Sequence, residues 1–141
     1  MPLRRDALGI AIRALARREL SVVELSARLE RAGVPVDERE ATIAHLCESG
    51  YLSDERAARE RARILAERVR GDAAIRADLE SRGISETAIE AALATLAPES
   101  VRVEGLAVRI GRSPRLGQTL RRRGFSEETV DRVTAAVAEQ P

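Results

Sequence analysis

Arginine is the residue type whose spacing most clearly suggests a binding function in this sequence. The stretch from Arg102 to Arg123 holds seven arginines and one acid, Glu104, and Glu127 and Glu128 follow it. The 141-residue chain has a net charge of only +1, so this stretch is a local concentration of positive charge. Guanidinium groups bind carboxylates and phosphates well. The pattern therefore predicts a local surface for an anionic partner.

The run Arg121–Arg123 is the densest part of this stretch. Successive helical residues differ in direction by ~100°, so all three can face one partner only if the helix end is itself the contact. The alternative is that these cations merely favour the negative end of a short helix, by ~0.3–1 kcal/mol. Two nearby arginines favour the binding interpretation. The candidates for partner or DNA binding here are Arg112, Arg115, Arg121, Arg122 and Arg123.

A second group of arginines lies on a long helix predicted from Ser53 to about Val69, and just beyond it. Arg56–Glu60 and Arg63–Glu67 have i,i+4 spacing, which is typical of a solvated face with weak ion pairs. Other arginines in this part of the chain have no such evident partner, and we expect the one at the following corner to be accessible. The further binding candidates are Arg59, Arg70, Arg76 and Arg82.

Residues that usually carry catalysis or bind metals are scarce. His45 and Cys47 are the only histidine and the only cysteine, and positions two apart on a helix point in different directions. No glycine-rich phosphate loop or nucleophile motif is present. We therefore expect no metal, no cofactor and no enzymatic activity. Tyr51 and Phe125 are the only aromatic residues, which argues against base stacking, and we expect Tyr51 to be a core anchor.

The composition indicates a folded protein of the cytoplasm. Hydrophobic residues make up 44% and charged residues 33% of the chain. No apolar run approaches the ~18 residues of a membrane span, so we expect no membrane association. A single cysteine excludes an internal disulfide framework.

A helix–glycine–helix corner positions these residues. Ile75 and Leu79 share one helix face, Gly83 suits the left-handed residue at a helix end, and Ser85 can cap the next helix. The same pattern recurs around Gly33 and Gly124, which indicates an internal repeat. The residues predicted to form structural corners are Gly33, Gly50, Tyr51, Leu52, Gly83, Gly124 and Phe125.

The remaining signals place helix ends. We predict a first helix capped by Asp6 with an apolar face of Leu8, Ala11, Ile12 and Leu15. Ser21 to Glu24 has the spacing of a capping box. Pro35 suits the first turn of a third helix, Gly71 ends the long helix, and Ser113-Pro114 starts a short one. No segment alternates with period two. The prediction is an all-α fold of three three-helix repeats, at residues 1–50, 51–97 and 98–141.

The sequence resembles the RecX family of bacterial regulatory proteins over nearly its whole length. The most specific similar segment is Gly50–Arg56, and the segments Arg82–Ser85, Arg123–Glu127 and Ser21-x-x-Glu24-Leu25 are also similar. The resemblance implies tandem repeats in an elongated, curved molecule with a basic face. It also implies binding to the RecA recombinase and its filament on DNA, with inhibition of strand exchange and ATP hydrolysis. We expect a monomer, and weak direct DNA contact stays open.

Two other functions remain. Helical corners such as Leu79–Ser85 are compatible with the helix-turn-helix motif of an autonomous DNA-binding protein. Acidic residues on the predicted reading helices and the nearly neutral charge argue against it. A helical scaffold for some other protein is the third alternative.

Overall fold

The computed structural model describes the backbone of residues 2–111 and 114–138 and the side chains of residues 7–109, 111 and 114–135. Within these residues the chain forms nine α-helices and no strand, which confirms the all-α prediction. The helices are α1 (Pro2–Arg17), α2 (Val22–Arg31), α3 (Val36–Glu48), α4 (Asp54–Glu67), α5 (Asp72–Ser81), α6 (Glu86–Ala94), α7 (Glu99–Ile110), α8 (Leu116–Arg122) and α9 (Glu127–Ala138).

Serine caps fix the starts of α2, α4 and α6 as the sequence predicts. The Ser21 hydroxyl accepts the Glu24 amide proton at 3.0 Å, and the Glu24 carboxylate accepts the Ser21 amide proton at 3.0 Å. This reciprocal pair is a complete capping box. Ser53 and Ser85 each accept the amide proton of the residue three positions later. Short-range sequence therefore determines where these helices begin.

The three glycine corners have the predicted left-handed backbone. Gly33, Gly83 and Gly124 have φ angles of 87°, 76° and 89°. After each glycine the next amide donates to the carbonyl five residues back, as Ile84 does to Leu79 at 3.2 Å. This is the hydrogen bond of a Schellman helix end. The apolar residues that follow the glycines are all buried: Val34, Ile84 and Phe125.

Helix α1 buries only part of the predicted face. It begins at Pro2, so Asp6 lies within the helix and is not its cap. Leu8 and Ile12 are 40% and 44% exposed. Ala11 is buried and Leu15 packs against the core as predicted, but the other buried positions are the alanines Ala7 and Ala14. Helix α1 contacts both α2 and α3, and this packing, rather than side-chain size, decides which face is covered.

Helix α4 ends at Glu67, earlier than predicted, and no glycine ends it. Val69 follows with a φ of 56°, the only positive φ of a non-glycine residue in the described part of the chain. Gly71 has a φ of −81° and precedes α5 as its N-cap, so the prediction that it breaks α4 is wrong. Val69 packs with residues of α7, α8 and α9. That packing holds a β-branched residue in a backbone conformation that it disfavours.

The two prolines predicted inside first turns lie just before their helices. Pro35 is the N-cap of α3, and Pro114 precedes α8, whose N-cap is Arg115. Ser113, the predicted cap of that helix, lies outside the described residues.

Buried side chains form three clusters in chain order. The first runs from Ala7 to Leu52, the second from Ala58 to Ala92, and the third combines Val69 with residues 103–133. This order is compatible with three helical repeats. The division at 50/51 and 97/98 and the curvature of the array stay predictions.

Two of the corners dock on an earlier helix start in the same way. The Ser21 hydroxyl at the start of α2 donates to the Arg82 carbonyl at 2.7 Å. The Gly71 amide at the start of α5 donates to the Arg123 carbonyl at 2.7 Å. The corner after α5 therefore sits on α2, and the corner after α8 sits on α5.

A carboxylate from the helix two further along the chain completes each of these junctions. Asp54, the first residue of α4, accepts the Val22 amide proton at 2.7 Å. Glu99, the first residue of α7, accepts the Asp72 amide proton at 2.7 Å. Both helix N-termini carry free amides and a partial positive charge, so an acid there is favourable.

Candidate partner-binding surface

The three arginines of the run at the end of α8 have different surroundings. Arg121 pairs with Glu127 at 2.9 Å, and the Arg123 guanidinium donates to the Arg68 carbonyl at 3.0 Å. Arg122 and Arg115 are exposed, and Arg112 lies outside the described residues. Arg123 thus helps to hold its corner against the end of α4, while Arg122 and Arg115 stay accessible. The use of this run for partner binding stays a prediction.

Arg82 is not the accessible corner residue that the sequence predicts. Its side chain is 18% exposed and pairs with Glu24 and Asp78, each at 2.8 Å. Arg61 also binds Asp78 through two contacts of 3.0 and 3.1 Å. Burial opposes ionisation of Asp78, but the hydrogen bonds from both arginines outweigh it and lower the pKa of its carboxyl group. Arg82 therefore joins α5 to α2 as part of an ion-pair network.

Arg76 is also occupied within the chain. Its guanidinium contacts the carboxylates of Glu86 and Glu90, so it links α5 to α6. Its side chain remains 33% exposed. An anionic partner would have to compete with two carboxylates for this arginine.

Arg56 has a different partner from the predicted one. It pairs with Glu19 at 2.7 Å rather than with Glu60, and it donates to the carbonyls of Gly50 and Tyr51. It therefore joins the end of α1 to the start of α4. Arg63 contacts its predicted partner Glu67 at 2.6 Å and Glu60 at 2.6 Å as well.

Arg59 is one of the exposed arginines that stay free. It lies one turn after Arg56 on α4, and its side chain has no ion pair within the described part of the chain. Arg70 is similarly exposed, although its carbonyl accepts from Arg102 at 3.2 Å. The predictions that Arg59 and Arg70 are not neutralised agree with their surroundings.

The structure places Arg59 opposite the end of α1. Together α1, α4 and the turn after α6 enclose a groove of about 810 Å³, called here the arginine groove. Its apolar floor includes Leu15, Ile64 and Leu96. Five arginines and two glutamates line it: Arg17, Arg18, Glu19, Arg56, Arg59, Glu60 and Arg63.

Three arginines carry the excess charge of the arginine groove. Glu19 and Glu60 are each paired, with Arg56 and Arg63. Arg17 and Arg59 are exposed and have no ion pair among the described residues, and Arg18 reaches Glu24 only at 3.9 Å. Two adjoining depressions add further arginines, Arg13, Arg28 and Arg31, beside the paired Arg82 and Glu24. The groove is therefore the centre of a wider basic surface.

Sequence reasoning missed this groove. In the sequence, the pair Arg17-Arg18 lies just after the apolar face of the first helix, and nothing in its spacing connects it with Arg59. The Arg56–Glu19 ion pair ties the start of α4 to the segment after α1 and so brings these arginines to one groove. A pair of adjacent arginines without acidic neighbours before it was the one available signal.

The aromatic and sulfur residues do not add a chemical centre. Tyr51 is 62% exposed, so the prediction that it is a core anchor is wrong, whereas its neighbour Leu52 is buried as predicted. Burial and the charges of Asp54 and Glu55 raise the pKa of the exposed Cys47 thiol, which disfavours the reactive thiolate. The described residues hold no cluster of histidine, cysteine and acidic side chains suited to a metal ion.

None of the described helices is both long and apolar enough to cross a lipid bilayer. Taken together, the fold and the surface define an all-α protein with exposed arginines available for binding.

The comparisons with known proteins assign this chain to a family. It is 37% identical over 129 residues to the regulatory protein RecX of Chromohalobacter salexigens, covering 85% of each chain. It is 36% identical over 102 residues to the regulatory protein RecX of Syntrophotalea carbinolica, covering 72% of this chain and 67% of that one. No protein-family profile matches the chain. The chain belongs to the RecX family of regulatory proteins.

Solved structures show the same fold. The crystal structure of RecX from Lactobacillus salivarius has a TM-score of 0.80 at 19% identity and covers 97% of each chain. A second crystal structure, of a regulatory protein RecX, has a TM-score of 0.79 at 20% identity and covers 94% of this chain and 73% of the other. The helical fold is thus shared where little sequence identity remains.

Proposed function

We propose that this chain binds the RecA recombinase, chiefly in its filament on DNA, and inhibits strand exchange and the coupled ATP hydrolysis. The observation that carries this proposal is membership of the RecX family, with 37% identity across 85% of both chains in one relative. The protein would act as a monomer in the cytoplasm, where RecA acts.

The surface of the chain supports a binding mechanism rather than a catalytic one. Arg17 and Arg59 offer guanidinium groups that have no ion pair with any described side chain and that line a preformed groove. Each can bind a carboxylate or phosphate through two hydrogen bonds. Inhibition would follow from occupation of a filament surface, because a bound regulator opposes any rearrangement that would displace it. No chemical step on a substrate is needed for this role.

An autonomous helix-turn-helix reader is less well supported. The corners that resemble such a motif are covered within the chain. A Cβ atom at Gly83 would lie 2.6 Å from the Val23 side chain, and one at Gly124 would lie 2.5 Å from the Ala74 Cβ. Both corners thus serve contacts between helices. Weak contact with the DNA of a filament through the exposed arginines remains compatible with the proposal.

RecA ATP hydrolysis on single-stranded DNA, titrated with this protein, tests the proposal. We expect inhibition at protein concentrations well below those at which the protein binds the same DNA alone. The naked-DNA titration, at matched salt, is the control, since phosphate binding depends strongly on salt. Unchanged hydrolysis at a stoichiometric excess of folded protein would contradict the proposed function.

A further inference from the structure

The arginine groove combines features that together specify one kind of ligand. We infer that it binds an acidic protein segment carrying an apolar side chain, with carboxylates on Arg17 and Arg59 and the apolar group on the groove floor. The inference rests on the proposed function only for the identity of the protein that carries this segment, which would be RecA in its filament.

Charge complementarity is the first argument. The acids of the groove are already neutralised, Glu19 by Arg56 at 2.7 Å and Glu60 by Arg63 at 2.6 Å. Arg17 and Arg59 are left on opposite walls, on α1 and α4, without carboxylates among the described residues. A ligand that brings carboxylates to both walls gains contacts without breaking an existing ion pair.

The floor of the groove distinguishes a protein segment from a nucleic acid. Leu15, Ile64 and Leu96 are each partly exposed along it. A phosphate–sugar backbone has no apolar side chain that would cover this surface, and no aromatic residue lines the groove for a base to stack on. A leucine or similar side chain between two acids would bury the floor while its neighbours reach the arginines.

The groove is held open before any ligand arrives. The Arg56 side chain ties Glu19 near the end of α1 to the Gly50 and Tyr51 carbonyls before α4. The two walls therefore keep their separation, and less conformational freedom is lost on binding.

A peptide-binding assay tests the ligand class with this protein alone. The probe is a fluorescein-labelled peptide of glutamate and alanine with one central leucine. The comparison probes are the same peptide with serine for leucine, and an oligothymidylate of equal charge. We expect the leucine peptide to bind most tightly, and Arg17→Glu with Arg59→Glu to weaken its binding about tenfold, because two attractive guanidinium contacts become repulsive carboxylate contacts.

The matched control is Arg68→Glu with Arg109→Glu. These are exposed arginines outside the groove and carry the same change of net charge. Equal weakening in both double variants would overturn the groove assignment. Oligothymidylate binding as tightly as the leucine peptide, and lost in the groove variant, would overturn the ligand class in favour of a phosphate backbone. Indifference to the leucine–serine exchange would overturn the apolar contact.

RecA assays then separate this inference from the proposed function. If the wild-type protein does not inhibit RecA, the proposed function fails while the peptide assay still stands. If the groove variant inhibits as well as wild type, the groove inference fails alone. A photo-crosslinker can be attached to the thiol of Ala16→Cys in the groove, with Cys47→Ser removing the native exposed thiol. It should crosslink to an acidic RecA segment that contains an apolar residue. Attachment to the DNA of the filament would contradict the inference.

Discussion

Gly71 and Gly124 meet backbone to backbone, and a Cβ atom at position 71 would lie 2.2 Å from the carbonyl carbon and oxygen of Gly124. The contact joins the start of α5 to the corner after α8. Its hydrogen bonds run from the Gly71 amide to the Arg123 carbonyl at 2.7 Å and from the Ala73 amide to the Gly124 carbonyl at 3.2 Å. The absence of a side chain at position 71 is what allows the two segments to approach so closely.

Gly71→Ala should therefore destabilise the protein by ~1–3 kcal/mol, because the new methyl group meets backbone atoms that cannot rotate away. Gly105→Ala is the matched control, since nothing lies within 4 Å of its added Cβ and alanine favours the interior of α7. Urea unfolding measures both. A stability of Gly71→Ala equal to wild type would show that the two glycines are not in contact.

The corners at Gly33 and Gly83 should differ in their tolerance of alanine. Both have positive φ angles, so alanine costs ~1 kcal/mol at each. At Gly83 the Cβ would also lie 2.6 Å from Val23, whereas at Gly33 nothing lies within 4 Å. Gly83→Ala should therefore lower the free energy of unfolding more than Gly33→Ala does, and Gly83→Val should lower it further still. In a double-mutant cycle, Val23→Ala should recover part of the excess, because it removes the two methyl groups but leaves the residue 23 Cβ 2.8 Å from the new one. Equal costs for Gly83→Ala and Gly33→Ala would refute the docking contact.

Glu99 should make stability depend on acid pH. Its carboxylate accepts the amide protons of Asp72 and Ser126 and the Thr129 hydroxyl proton at 2.7–3.0 Å. Burial opposes ionisation, but these hydrogen bonds outweigh it and place the pKa of Glu99 below its ordinary value of 4.5. The stabilisation is therefore complete above the unfolded-state pKa and is lost as pH falls through the lower folded-state pKa.

Glu99→Gln should accordingly destabilise the protein by ~1–3 kcal/mol near pH 7, because one amide proton then faces an NH2 group. The difference from wild type should shrink as the pH falls below 4.5 and through the lower folded-state pKa of Glu99, because the wild-type carboxyl then becomes protonated. Unfolding curves across this range test it, with Glu48→Gln, an exposed glutamate at the end of α3, as control. A pH-independent difference would contradict the assignment.

Arg82 should behave as a structural residue. Arg82→Ala leaves the partly buried carboxylates of Glu24 and Asp78 with one fewer partner, so we expect a loss of ~1–2 kcal/mol. Arg76→Ala should cost less, because its partners Glu86 and Glu90 are 65% and 57% exposed. RecA inhibition by folded Arg82→Ala should match wild type. If Arg82→Ala weakened RecA inhibition without lowering the stability of the protein, Arg82 would be a partner-binding residue and not a structural one.

Arg122 gives the cleanest test of the arginine run. Its one hydrogen bond within the described residues is a long 3.4 Å contact with Thr119, so Arg122→Glu should leave folding intact. We expect filament affinity to fall about threefold, the effect of one exposed charge contact. Arg109→Glu provides the same charge change on an exposed part of α7. Equal affinities of the two variants would remove the run from the binding surface.

The local signals in the sequence predicted the local structure well. Serine caps and left-handed glycines act through hydrogen bonds within a few residues, so Ser21, Ser53, Gly83 and Gly124 lie where their types predict. The left-handed Val69 after α4 could not be predicted in this way, because contacts with distant helices outweigh the local backbone preference there.

The sequence by itself determined the all-α class, the three glycine corners and most helix starts, because these depend on neighbours along the chain. Only the tertiary structure decided which arginines are free. It paired Arg82 with Glu24, 58 positions away, and Arg56 with Glu19, 37 positions away. It also brought Arg17 and Arg59 to one groove. Charge–charge contacts depend on distance in space, and that distance is set by how the helices pack.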